Sequence, residues 1–372
     1  MISEFRIAIP DADVLDLRER LRRVRWPRQL PGGWERGVPV DYLRHVVERW
    51  LTYDWRTWET RLNTFPQYLT EIDGQTVHFL HVRSPEPDAL PLLLTHGWPG
   101  SVAEFLEVLG PLTDPAAYGA DPHDAFHVVA PSVPGHGFSV PLTDGWNHGR
   151  IARAWVELMH RLGYEQYGAQ GGDTGSVVSP LVGQLAPANV VGVHINGGLA
   201  FPADVQSGDL VTDAERERLA AAERLRAVGT GYADLQGTRP QTVSFGLSDS
   251  PVGQLAWILE KFWEWTDPAR ALPEDAVDLD HLLTDVSIYW FTNTSATSAN
   301  LYYENRRATD DLRPGVPTGV AVFPTDPAIR RVLDRRHNIV HWSEFTRGGH
   351  FAALEAPDLL VDDVRAFFRL IR

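Results

Sequence analysis

The chain has 372 residues, enough for one large α/β domain with an added module or for two domains. Its formal net charge of −15 repels nucleic acid and anionic membrane surfaces, so neither is an expected partner. There is no cysteine, which excludes disulfides, thiolate nucleophiles and cysteine-held metals together. No run of about 18 apolar residues marks a transmembrane helix. The N-terminus has no apolar stretch followed by a cleavage site, so a soluble, cytoplasmic protein is expected.

Residues 1–90 read as a distinct N-terminal segment. Val14, Leu17, Leu21 and Val24 recur at helical spacing, and Trp26-Pro27 marks the stop. A second helix is expected from Asp41 to Trp50, and Trp50, Trp55 and Trp58 read as glue holding the segment to the next domain. Thr76 to Val82 then reads as a strand, and the cluster Ser84 to Asp88 as a turn. Leu90–Thr95 and Ala125–Ala130 are apolar strands ending at glycine- and proline-rich loops. Arg150 to Leu162 is a helix with Ile151, Trp155, Leu158 and Leu162 on one stripe. A strand runs into residues 171–175, a helix follows, and Val190–Ile195 is a further strand. Strands alternating with helices, most of them continuously apolar, indicate a mostly parallel sheet covered on both faces. Residues 91–199 thus form the first part of an α/β core. Residues 200–311 are a helical block, charged and then aromatic, that reads as a lid. Residues 312–372 complete the core with strands at Thr318–Phe323 and Asn338–Phe345 and a last helix from Pro357 to Ile371.

The chemistry is carried by Gly171-Gly172-Asp173-Thr174-Gly175, small residues around a central aspartate where a strand turns sharply into a helix. A serine at such an elbow attacks carbonyls. A carboxylate is suited instead to displacing a leaving group from saturated carbon with formation of an alkyl ester. Asp173 is therefore the candidate nucleophile, although an aspartate in a glycine-rich turn also suits a helix N-cap. His350, in the permissive loop Arg347-Gly348-Gly349-His350-Phe351 before the last helix, is the candidate general base. Asp326, at the end of an apolar strand in Phe323-Pro324-Thr325-Asp326-Pro327, is the candidate acid orienting it. It could also open a helix, and Asp334 and Glu344 are weaker alternatives. The order nucleophile, acid, histidine is that of the α/β-hydrolase fold. The backbone N–H groups of Trp98, in His96-Gly97-Trp98-Pro99-Gly100-Ser101, and of Thr174 are the candidate oxyanion hole. His96 reads as a structural hydrogen-bonder. No Gly-x-Ser-x-Gly, His-Glu-x-x-His or Gly-x-Gly-x-x-Gly supports a serine, metal or dinucleotide reading, so no cofactor is expected.

The loops at 96–101, 131–139, 171–176 and 348–353 resemble the signatures of the microsomal-type epoxide hydrolases. Leu21 to Pro27 is similar to that family's N-terminal domain. The resemblance implies two lid tyrosines that hydrogen-bond to the epoxide oxygen. Tyr232, in Gly231-Tyr232-Ala233-Asp234-Leu235-Gln236, matches the first. Tyr302, ahead of its neighbour Tyr303, matches the second in Leu301-Tyr302-Tyr303-Glu304-Asn305. It implies conversion of an epoxide to a vicinal diol without metal or organic cofactor, and Asp326 falls where the family places its relay acid. The mammalian enzymes carry a membrane anchor ahead of this region, and this chain is expected to be soluble. The family commonly has tryptophan after the nucleophile, where this chain has Thr174, so substrate shape is less constrained than reaction type. The aromatic lid points to a bulky apolar or aryl epoxide as the small-molecule partner. A homodimer is compatible with the sequence. Haloalkane dehalogenation on the same aspartate and a non-catalytic ligand-binding relative are the alternatives.

Overall fold

The computed structural model describes residues 1–197, 205–206 and 212–372. The expected boundary between core and helical block, at 199/200, lies outside the described residues. The N-terminal part holds β1 (Ser3–Phe5), α1 (Asp11–Arg22), α2 (Val40–Thr52), α3 (Trp55–Leu62), β2 (Gln67–Ile72) and β3 (Gln75–Val82). The first half of the core follows as β4 (Leu90–Thr95), α4 (Leu106–Thr113), β5 (Phe126–Pro131), α5 (His148–Arg161), β6 (Tyr167–Gly171), α6 (Thr174–Leu185) and β7 (Val190–Asn196). Among the described residues six α-helices come next: α7 (Asp213–Val228), α8 (Gly231–Thr238), α9 (Pro240–Asp249), α10 (Pro251–Trp265), α11 (Leu279–Thr292) and α12 (Thr294–Asn305). The chain returns to the core with β8 (Pro317–Val322), α13 (Arg330–Leu333), β9 (Asn338–Glu344), α14 (Ala352–Glu355) and α15 (Pro357–Arg369).

The nine strands form one sheet in the order β1-β2-β3-β5-β4-β6-β7-β8-β9. The pairs from β5 through β4 to β9 are parallel, and β1, β2 and β3 extend the sheet antiparallel. Parallel strands need covered faces, and α5, with Ile151, Trp155 and Leu158 fully buried, supplies one cover. This is the α/β-hydrolase arrangement. No alternation in the sequence marks a strand before Thr76, so β1 and β2 are additions. Asp73 and Gly74, with φ of 52° and 74°, make the two-residue turn that folds β2 onto β3. The polar residues of β2 hide a strand whose stability comes from that pairing.

The tryptophans of the N-terminal part do act as glue, but their partner is distant. Trp50 donates its indole N–H to Ser287 at 3.0 Å and Trp55 packs edge-on against Phe291 at 4.9 Å. Tyr53 bonds to Thr284 at 2.7 Å and Arg49 pairs with Asp280 at 2.5 Å. All four contacts fall on α11, so the N-terminal part braces the helical block. Among the described residues no helix is long and apolar enough to cross a membrane.

One buried polar cluster ties α15 to the sheet. Asp363 accepts from His194 at 2.9 Å, His341 at 2.7 Å and Ser343 at 2.5 Å. Burial pushes its carboxyl up, but the histidine and serine hydrogen bonds win and bring it down to about 2 from 3.8. A depressed carboxyl supplies stability above its unfolded pKa and loses it as pH falls toward 2. Asp363→Ala is expected to cost about 1–3 kcal/mol at neutral pH, because His194, His341 and Ser343 lose their shared acceptor. Urea unfolding of the two proteins measures this, and the gap should narrow at low pH.

Candidate active site

The carboxyl ends of the parallel strands carry the loops that matter, as expected for an open α/β sheet. Asp173 stands between β6 and α6 with φ 48° and ψ −117°. A non-glycine residue in this region stores about 1–3 kcal/mol of strain. The surrounding glycines make room for it. A Cβ on Gly175 would lie 2.1 Å from the Thr95 carbonyl oxygen, and one on Gly97 would lie 2.1 Å from Asp173 Oδ1.

The two oxygens of Asp173 sit in different settings. Oδ1 accepts the backbone N–H of Trp98 at 3.0 Å and the hydroxyl of Thr174 at 3.2 Å. The Thr174 backbone N–H adds to the electrostatic support of this carboxylate. Oδ2 faces His350 Nε2 at 3.4 Å. Burial alone would raise the Asp173 pKa, but His350 and the N–H groups of Trp98 and Thr174 hold it below 3.8, so the group is ionised. Burial pulls the other way on His350, and Asp173, then Asp326 and Glu355, lift it above 6.5.

Asp326 is only 5% exposed, and its Oδ2 accepts the Phe323 N–H at 2.9 Å. Burial raises its pKa to about 6, opposed by the Phe323 N–H, the His350 charge and the Gly197 N–H. It makes neither a hydrogen bond nor an ion pair with the His350 ring and acts on it by charge over a longer distance. Of the weaker alternatives, Glu344 is tied to Arg218 and Trp342, and Asp334 caps α13. His96 Nε2 accepts the Val133 N–H at 3.0 Å, and its other ring nitrogen lies 3.0 Å from the Gly97 carbonyl. Burial holds its pKa at about 4, so it is a neutral bridge between two loops.

Tyr232 and Tyr302 converge from α8 and α12. Their rings lie 5.7 Å apart and meet edge to face at 79°. Tyr232 stacks on Trp98 at 5.0 Å, and Tyr302 meets the same indole edge-on at 5.9 Å. Burial, with the nearby Asp173 charge, raises both phenols well above 10, so they stay protonated. Tyr303 instead lies under the Arg307 guanidinium at 3.4 Å. Lys261 is buried between Glu260 and Glu264 with Nζ 4.9 Å over the Tyr232 ring.

The family profile described as "Epoxide hydrolase N terminus" matches residues 2–105, and the one described as "alpha/beta hydrolase fold" matches residues 91–305. A Stigmatella aurantiaca (strain DW4/3-1) protein, named as a candidate epoxide hydrolase, is 48% identical over 100% of this chain and 86% of its own length. The chain belongs to the epoxide hydrolase family. Epoxide hydrolase 1 of Sus scrofa is 35% identical, over 100% of this chain and 89% of its own length. The structure of Aspergillus niger epoxide hydrolase matches with a TM-score of 0.89 at 34% identity, covering 100% of this chain and 97% of that one. The juvenile hormone epoxide hydrolase of Bombyx mori matches with a TM-score of 0.90 at 30% identity, covering 100% and 95%.

Two further carboxyl groups of this epoxide hydrolase carry no signal in the sequence that marks them as part of the site. Glu355 accepts the N–H groups of Phe351 at 3.0 Å and Asp267 at 2.7 Å; burial raises it to about 7, and its charge reaches His350. Glu104 folds its carboxyl over the backbone of Gly100, where a Cβ would lie 1.2 Å from Oε1. Burial, then Asp285 and Asp173, push it well above 4.5. Its sequence signal, Ser101-x-x-Glu104, is that of a helix capping box, which disguises it. Glu104, Asp173, His350 and Trp98 line a cavity of about 20 Å³, room for one water. Tyr232 and Tyr302 do not line it.

Proposed function

We propose that this epoxide hydrolase opens its substrate with Asp173 Oδ2 and hydrolyses the resulting ester with water activated by His350. Oδ2 attacks one epoxide carbon, the carbon–oxygen bond of the ring breaks, and Tyr232 or Tyr302 protonates the departing alkoxide. His350 then removes a proton from a water that attacks the Asp173 carboxyl carbon. Negative charge collects on Oδ1 against the Trp98 and Thr174 N–H groups, each donor worth about 3–4 kcal/mol in comparable sites. Collapse breaks the bond between the carboxyl carbon and Oδ2. The diol takes Oδ2 with it and the proton on His350 passes to the leaving alkoxide; one water oxygen stays in the carboxyl group, whose remaining proton returns to the tyrosinate and restores the Asp173 carboxylate and the phenol.

The observation that carries this reading is the asymmetry around Asp173. Oδ1 is held by the Trp98 N–H and the Thr174 hydroxyl, and Oδ2 is turned toward the histidine. The phenols are gathered apart from the water-sized cavity that His350 lines. Asp326 is proposed to support the imidazolium by its charge, and the helices from α7 to α12 to serve as the lid. Trp98, Tyr232, Trp265 and Tyr302 form mutually packed aromatic walls, which favours an epoxide bearing an aryl or bulky apolar group.

Turnover of racemic styrene oxide tests the assignment, with 1-phenylethane-1,2-diol as the product. The single changes Tyr232→Phe and Tyr302→Phe are each expected to slow ring opening by roughly 10²-fold, and the double change by more. Ring opening at the wild-type rate in the double variant would remove the tyrosines from the mechanism.

A further inference from the structure

We infer that the side-chain hydroxyl of Thr174 is a third hydrogen-bond donor to the Oδ1 oxyanion and acts on ester hydrolysis rather than on ring opening. The inference rests on the reading of Asp173 as nucleophile. Thr174 Oγ1 lies 3.2 Å from Asp173 Oδ1, beside the 3.0 Å bond from the Trp98 N–H to the same atom. It sits at the first position of α6, where the residues four and three before it, Gln170 and Gly171, belong to β6. A threonine inside a helix commonly turns its hydroxyl to the carbonyl one turn earlier. No helical carbonyl precedes Thr174, and the bond to Asp173 is the hydroxyl's one hydrogen bond among the described residues. The side chain is 6% exposed, so water competes little for it.

The charge on Oδ1 through the reaction decides which step feels this donor. The free carboxylate shares one negative charge between two oxygens. In the alkyl ester Oδ1 is a neutral carbonyl, and in the tetrahedral intermediate it carries the whole charge. A donor fixed on Oδ1 therefore strengthens most between ester and intermediate, which lowers the barrier to hydrolysis. In ring opening it loses part of its bond, because the carboxylate gives up charge to the alkoxide. The hydroxyl thus slightly opposes the first step and favours the second.

Thr174→Val keeps the shape and the backbone N–H and removes only the hydroxyl. Rapid mixing with styrene oxide, quenched and read by intact mass, follows the alkyl-enzyme as it forms and decays. Decay is expected to slow roughly tenfold, less than for a full oxyanion-hole donor because the bond is long. Formation should be unchanged or up to about threefold faster, and Thr174→Ser should decay near the wild-type rate. Unchanged decay in Thr174→Val overturns the inference. Equal slowing of both steps, not rescued by serine, overturns it in favour of packing. If a single turnover of the wild type in ¹⁸O-water yields labelled diol, water and not Asp173 opens the ring, the Asp173 reading falls and this one with it.

Discussion

Asp173→Asn is expected to leave a folded protein that makes no diol, with turnover lower by on the order of 10⁵-fold or more. The amide is nearly isosteric, and asparagine tolerates the positive φ of 48° better than most residues. The Trp98 N–H keeps an oxygen to bind. What is lost is the negative charge that displaces the ring oxygen from saturated carbon, and the two nearby carboxyls do not replace it. Burial raises the Glu104 carboxyl well above 4.5, which disfavours its charge, and Asp326 is held at Phe323. Diol formation is measured beside a thermal melt, and intact mass checks that the amide persists. A companion measurement separates the ester route from direct attack by water. In a single turnover of wild type in ¹⁸O-water, the diol should be unlabelled and the label should enter Asp173. Labelled diol from the first turnover would show that water, and not Oδ2, opens the ring.

His350→Gln should show the opposite partition. Ring opening needs Asp173 and a phenol, so the variant should still form about one adduct per site, while steady-state turnover falls by roughly 10³-fold. The adduct is expected as a stable mass increase equal to that of the substrate. A variant that neither turns over nor accumulates adduct would place His350 in the first step. The pH dependence follows from the same contacts. In the free enzyme the Asp173 charge lifts His350 above 6.5 against the effect of burial. Alkylation turns that charge into a neutral ester. Burial then has less to oppose it, and the imidazole sheds its proton at the stage where a base is required. The decay phase should therefore rise with pH through a midpoint lower than the one NMR reports for His350 in the unreacted enzyme. Equal midpoints would show that the Asp173 charge does not govern the histidine.

Much of this site is legible in the chain because its geometry is local. Glycine on both sides of Asp173 is demanded by a turn that leaves no room for a Cβ, so the elbow is written within five residues. Nucleophile, acid and histidine also follow strand ends in an order that the βα alternation imposes. The tyrosines were legible by resemblance alone, since nothing in the spacing of Tyr232 and Tyr302 brings them together. Strands β1 and β2 were not legible, because their polar residues become strand only by pairing with β3.

The amino-acid sequence by itself determined the fold class, the carboxylate in place of a serine, and hence chemistry at saturated carbon. These depend on residue type and short-range backbone sterics. The tertiary structure decided the rest. It separated Oδ1 from Oδ2, kept Asp326 out of contact with His350, and turned Glu104 from a helix cap into a wall of the water-sized cavity. It also stacked Tyr232 on Trp98 and set the N-terminal tryptophans against α11. These are contacts between residues far apart in the chain. They form only when packing and desolvation of the whole domain select one arrangement, and no local pattern encodes that choice.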